Sequence, residues 1–197
     1  MKTVGIFGGT FSPPHNGHIY AVKEFLRAED PDVMLIIPTF TPPHKELKGN
    51  ATPNERLRMC ELAFGFDPRI RVSDMEIRRG GKSYTADTLE ELSSEDTHLV
   101  FLCGTDMFLT MDEWHDPERI FRLADIVLIR RENQEELNDN LRQKAKAYHE
   151  RFGAVIRFID ALPLPLSSTL CRESGALDEL VPPLVKEYIE QCKLYKE

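Results

Sequence analysis

Short apolar runs alternate with helical stripes along this chain. Residues 3–7 read as a strand that runs into Gly8-Gly9-Thr10, and a loop with Pro13 and Pro14 follows. Ile19, Val22, Phe25 and Leu26 then recur on one helix face over about residues 17–27. Residues 33–37 are a continuous apolar run closed by Pro38, the pattern of a strand buried on both faces. Strand, helix and strand make one right-handed βαβ unit. Residues 39–53 are rich in Pro, Thr and Lys and read as a loop. Leu57, Met59, Cys60, Leu62 and Ala63 give residues 53–64 an apolar helix face. Residues 70–72 predict a short strand, and a helix starts near Thr85 and continues through residues 87–92. Residues 99–103 are a strongly apolar strand, 105–111 and 117–123 are helical, and 126–129 form another strand. Residues 135–151 predict a charged, mostly exposed helix, 155–159 a late strand and 183–195 a final helix.

This alternation predicts an α/β fold with a doubly wound parallel sheet, Rossmann-like, in one domain over residues 1–197 with a small C-terminal helical part. Ligands bind such sheets at the carboxyl ends of the strands. The glycine loop, the 38–45 loop and the Gly104 loop all follow strands and are expected on that edge.

Composition narrows the function classes. The 197 residues suit one core, and 41% are hydrophobic, as in an ordinary folded protein. The formal net charge is −8, which argues against a general nucleic-acid binder, because phosphate backbones recruit clustered Lys and Arg. A small polyanion needs only a local cationic pocket. Cys60, Cys103, Cys171 and Cys192 form no CxxC pair, so a zinc site has no support and reduced thiols are expected. The start, Met1 to Phe7, lacks a signal peptide's apolar stretch, and no apolar run approaches the roughly 20 residues that span a membrane. A cytoplasmic protein without membrane or nucleic-acid partners is the expectation.

The stretch from Gly8 to His18 carries the most chemistry. Two adjacent glycines after a strand let a phosphate approach the backbone closely. The stretch is neither a GxGxxG fingerprint nor a Walker A loop. His15 and His18 are three residues apart, so both rings can lie on one side of a first helical turn. There the helix N-terminus and two imidazoles offer donors to developing phosphoryl charge. Such a pair standing alone is more often structural. Downstream, Ser167-Ser168-Thr169 places hydroxyls at a helix start with Arg172 one turn on. That set is either a phosphate cradle or an N-capping run beside a solvated Arg. Lys45 is either a phosphate partner or an ordinary surface lysine, and Trp114 on its own reads as core.

His15-Asn16-Gly17-His18 matches the HxGH motif of the nucleotidyltransferase α/β-phosphodiesterase superfamily. Gly8-Gly9-Thr10-Phe11 with Pro13 and the two histidines resembles the first motif of the bacterial nicotinate-nucleotide adenylyltransferases. Ser12 departs from that pattern, which usually has Asp. Ser167 to Arg172 resembles the family's SSTxxR, with Leu166 in place of the usual Ile. Pro42-Pro43-His44-Lys45 resembles its PxxxPHK, Ser83 to Leu89 its SYTxDTL, and Gly104-Thr105-Asp106 its GxD. Tyr188-Ile189 and Leu194-Tyr195 also match, so the resemblance covers essentially the whole chain in order.

The resemblance implies transfer of the adenylyl group of ATP to nicotinate mononucleotide, with Mg²⁺ accompanying ATP and no tightly bound organic cofactor. It implies catalytic roles for His15, His18, Lys45 and Arg172. It places ATP against Gly8, Gly9, Thr10, Phe11, His18, Gly104, Asp106, Arg131, Ser167, Ser168, Thr169 and Arg172. The pyridine nucleotide would meet Thr10, Lys45, Thr85, Trp114 and His115, the last in a place that is often Tyr. Arg130 stands beside Arg131, with a solvated pair as the alternative. Rival readings are another transferase of the superfamily, such as a phosphopantetheine adenylyltransferase, an enzyme for the amide mononucleotide, and a catalytically inactive nucleotide-binding regulator, toward which Ser12 leans. The sequence sets no oligomeric state.

Overall fold

The apolar runs form β1 (Lys2–Gly9), β2 (Val33–Pro38), β3 (Ile70–Val72), β4 (Thr97–Gly104), β5 (Ala124–Ile129) and β6 (Ile156–Ile159). They make one six-stranded parallel sheet in the order β3-β2-β1-β4-β5-β6, so the order reverses between β1 and β4, as in doubly wound folds. The computed structural model describes residues 1–43, 49–129, 135–159, 167–173 and 180–195. β1 runs two residues further than its apolar run suggests, into Gly8 and Gly9, and the Gly9 carbonyl accepts a hydrogen bond from the Thr39 N–H at 2.9 Å. Among the described residues no helix is long and apolar enough to cross a membrane. Cys60, Cys103 and Cys171 are buried and Cys192 is exposed, all as free thiols.

The chain packs as two compact units. The first holds Met1–Phe7, Glu24–Met34 and Tyr84–Pro165, and the second Gly8–Lys23, Leu35–Ser83 and Leu166–Glu197. In the first unit Val4 pairs with Leu99 and Ile6 with Phe101, and β4 is buried from Leu99 onward, as a central parallel strand must be. Gly5 permits this packing, because a Cβ there would stand 2.5 Å from the Phe25 ring and 2.7 Å from Met34 Sδ. α4 (Thr85–Leu92) and α6 (Pro117–Leu123) are tied by Arg119 donating to Asp87 at 2.6 Å. The helix expected over 105–111 is α5 (Thr105–Leu109), followed by a 3₁₀ turn at Met111–Glu113. α7 (Glu135–Phe152) is mostly exposed, as its charge suggests, but buries a narrow stripe through Leu141 and Tyr148.

In the second unit α2 (Pro53–Phe64) starts where a capping box predicts a start. Thr52 accepts from the Glu55 N–H, Glu55 accepts from the Thr52 N–H, and Pro53 opens the first turn. Its buried stripe is Arg56, Met59, Cys60, Ala63 and Phe64. α3 (Met75–Arg79) has no counterpart in the sequence reading, because five residues are too few to show a period. α8 (Ser168–Glu173) begins at the serine motif. α9 (Pro183–Gln191) corrects the helix expected over 183–195. Lys193 turns left-handed at φ 53°, the Leu194 N–H reaches the Ile189 carbonyl, and the Lys193 N–H reaches that of Glu190. This is a Schellman ending with Lys at the position glycine usually takes. The buried contact expected of such an ending is available, since Leu194 and Ile189 are both inside.

Candidate active site

The glycine loop of the second unit is held by its carbonyl oxygens. Arg56, fully buried on α2, donates to the Thr10 carbonyl at 2.9 Å and to the Phe40 carbonyl at 3.0 Å. Burial lowers the Arg56 pKa, and the nearby Tyr195, Cys60 and Glu76 act against that. Arg172 donates to the Ser12 carbonyl, and Ser168 donates to the Pro13 carbonyl at 3.0 Å. A trans peptide points its N–H away from its C=O, so fixing the Thr10 carbonyl also fixes the direction of the Phe11 N–H. A loop so held presents its backbone without the cost of ordering it on binding.

His15 and His18 stand at the start of α1 (Asn16–Glu29), with ring centroids 3.6 Å apart and planes 26° from parallel. The His15 N–H donates to His18 Nδ1 at 3.2 Å. That bond assigns the tautomer: Nδ1 offers a lone pair, so the neutral ring carries its proton on Nε2. Phe11 is buried and meets the His18 ring edge-on at 5.0 Å, which limits its rotation. The serine motif divides its work. Ser167 caps α8 by accepting from the Leu170 N–H, Ser168 reaches the loop, and the exposed Thr169 accepts from Arg172 at 3.0 Å.

In the first unit the Gly104 loop ends β4. Thr105 is buried, and its Oγ1 has no hydrogen-bond partner among the described residues, while Asp106 is exposed. Trp114 is only 7% exposed, donates from Nε1 to Thr110 at 3.3 Å, and packs edge-on to Phe101. It is therefore largely core, with a small accessible rim. His115 is exposed and lies over the Tyr84 ring at 4.3 Å. Tyr84 occupies the N-cap position of α4 without a side-chain capping bond, so this pair sits beside Thr85 at the helix N-terminus.

A cytidylyltransferase-like family model matches residues 6–174. A protein of Synechococcus sp. (strain JA-3-3Ab) named "probable nicotinate-nucleotide adenylyltransferase" is 36% identical over 99% of this chain and 95% of its own. One of the same name from Oceanobacillus iheyensis is 33% identical over 99% and 97%. The chain belongs to the nicotinate-nucleotide adenylyltransferase family. The fold agrees with a Plasmodium falciparum nicotinic acid mononucleotide adenylyltransferase solved with NaAD, at a TM-score of 0.75 and 18% identity, over 99% of this chain and 98% of that one.

In this adenylyltransferase the structure gathers Thr10, Phe11, His15, His18, Ser168 and Arg172 around one loop of the second unit. Gly104, Asp106, Thr85, Trp114 and His115 belong to the first. Lys45, Arg130 and Arg131 lie outside the described residues. Arg56 is absent from the sequence reading, and Tyr84, Thr105 and Tyr195 stand there inside matched motifs without a site role of their own. Arg56 has no local signal beyond a charge on an apolar helix face. Tyr84 had one, an aromatic directly before a helix start inside a matched motif.

Proposed function

We propose that this adenylyltransferase joins ATP to nicotinate mononucleotide, giving nicotinate adenine dinucleotide and pyrophosphate. The stacked histidine pair, with the His18 proton assigned to Nε2, carries the reading. The names of its relatives support the acceptor. A phosphate oxygen of the mononucleotide attacks the α-phosphorus of ATP in line. The new P–O bond forms as the bond to the bridging oxygen of pyrophosphate breaks. No covalent enzyme intermediate is needed, so positioning and charge stabilisation supply the rate.

His18 donates from Nε2 to a phosphate oxygen as charge grows there. Two imidazolium rings stacked 3.6 Å apart would repel, so His18 works as the neutral donor and any positive charge resides on His15. Arg172 adds charge beside the loop while holding the Ser12 carbonyl. Lys45 and Arg131 assist at the phosphates and the adenine end. Among the described residues no three His, Cys, Asp or Glu side chains gather as ion ligands; a magnesium ion would be held chiefly by the oxygens of ATP and by water, and would supply neutralisation of phosphate charge.

The pyridine ring is assigned to the rim of Trp114 with Tyr84 and His115. Its carboxylate is assigned to the first amides of α4 near Thr85, where the helix dipole favours an anion. Arg119 offsets the Asp87 carboxylate in that turn. The test is pyrophosphate release from ATP with the acid and the amide mononucleotide side by side. Release with the acid, at least about tenfold faster than with the amide, is expected. Release with neither refutes the activity, and equal rates refute the acid preference.

A further inference from the structure

Tyr195 is the described residue farthest along the chain, and it is tied into the glycine loop. Its phenol lies 3.0 Å from Ser12 Oγ, across 183 residues of sequence, and its N–H donates to Asn50 Oδ1 at 2.8 Å. Its ring lies close enough to Gly49 that a Cβ there would stand 2.7 Å from it, and Gly49 holds φ at +91°, so the position is open only to glycine. Tyr195 itself stands at φ +58°, two residues after Lys193 at +53°. Two left-handed side-chain-bearing residues this close are strained, and such strain persists where the surroundings hold it. Here the holders are identifiable: the buried Leu194 on one side, and Ser12 with Asn50 on the other.

Ser12 is the junction. Its hydroxyl meets Tyr195 and its carbonyl accepts from Arg172, and it is itself only 5% exposed. It lies between Thr10, whose carbonyl Arg56 holds, and Pro13, whose carbonyl Ser168 holds. Burial pushes the Tyr195 phenol up to about 12, so it keeps its proton through neutral pH and can serve as a hydrogen-bond donor. An aspartate at position 12 would bring a carboxylate against this phenol. The serine makes a neutral hydroxyl pair instead.

We propose that Tyr195 is a positioning residue for the adenylyl-transfer site, holding the Ser12 hydroxyl so that the backbone of residues 10–13 stays set for the ATP phosphates. The inference rests on the assignment of ATP to that loop. Tyr195→Phe keeps the ring against Gly49 and removes only the hydroxyl. It is expected to weaken ATP binding in calorimetry, and kcat/KM for ATP, by about fivefold, the range of one hydrogen bond. KM for the mononucleotide and the melting temperature should barely move. Ser12→Ala should give the same loss, and the double variant no more than either single one, because both remove one bond. A wild-type-like ATP affinity in Tyr195→Phe, or losses that add in the double variant, overturns the proposal. Should Tyr195→Phe fail to fold, Ser12→Ala read by ATP calorimetry decides alone: wild-type affinity overturns the proposal and a fivefold loss supports it. Calorimetry also separates the two readings. If the wild type binds ATP but releases no pyrophosphate with either mononucleotide, the function fails while the Tyr195 comparison still stands or falls on binding.

Discussion

His18 turns its Nδ1 lone pair onto the backbone N–H of His15, and that bond settles which nitrogen can donate. Under the proposed mechanism, replacing the ring removes a transition-state donor. His18→Ala is therefore expected to lower kcat by a factor on the order of 10² to 10⁴ with little change in melting temperature. Turnover near the wild-type rate in a folded variant would remove His18 from the chemistry. The spacing of the two histidines was readable in the sequence, because three residues span nearly one helical turn. Their stacking and the tautomer were not, since both depend on the path of the backbone through Phe11 to His15. Arg56 shows the same limit more sharply. One arginine on an amphipathic helix reads as a solvated charge, yet it is fully buried and holds carbonyls 46 and 16 residues away. Leaving such a charge without those partners would be strongly unfavourable, which makes the contact specific.

Elements were legible where they are long and periodic. α2 matched its expected bounds because its cap and its apolar stripe agree. α3 escaped because it is five residues long, and α9 stops at Gln191 because a tertiary burial, that of Leu194, pulls Lys193 into a left-handed turn. α7 illustrates how a highly charged helix is fastened. The Tyr148 hydroxyl lies 2.9 Å from both the Phe108 carbonyl and Asp112, and Lys144 donates to Asp112 at 3.0 Å. Burial pushes the Asp112 carboxyl up, but the bonds from Lys144 and Tyr148 outweigh it and hold the group below its ordinary 3.8. A lowered folded-state value means that the ionised form stabilises the fold above the unfolded value. That stabilisation fades as pH falls through the folded value. The melting temperature of the wild type should thus drop more between pH 5 and pH 3 than that of Asp112→Asn. Parallel curves for the two proteins would show that Asp112 contributes nothing to acid stability.

For the whole molecule, binding of Mg·ATP adds to stability by mass action. At about 100 times its Kd the gain is about 2.7 kcal/mol. For a chain of this length that raises the melting temperature by about 5–10 °C. AMP at the same concentration should raise it less, because it lacks the β- and γ-phosphates that the proposed site assigns to the held loop. Equal shifts would count against a phosphate-reading loop. The doubly wound sheet was legible beforehand, since strand and helix periods are local and their alternation leaves few packings. The family motifs were legible too, as short strings of fixed spacing. Which carbonyls of the glycine loop are held, and by what, came only from the folded chain. Their partners lie 46, 155 and 160 residues away, and Tyr195 meets Ser12 across 183. Periodicity encodes which face of an element is buried. It does not encode which polar groups a buried loop will find there, because that is decided by the obligation of every buried backbone carbonyl to find a donor once the elements have packed.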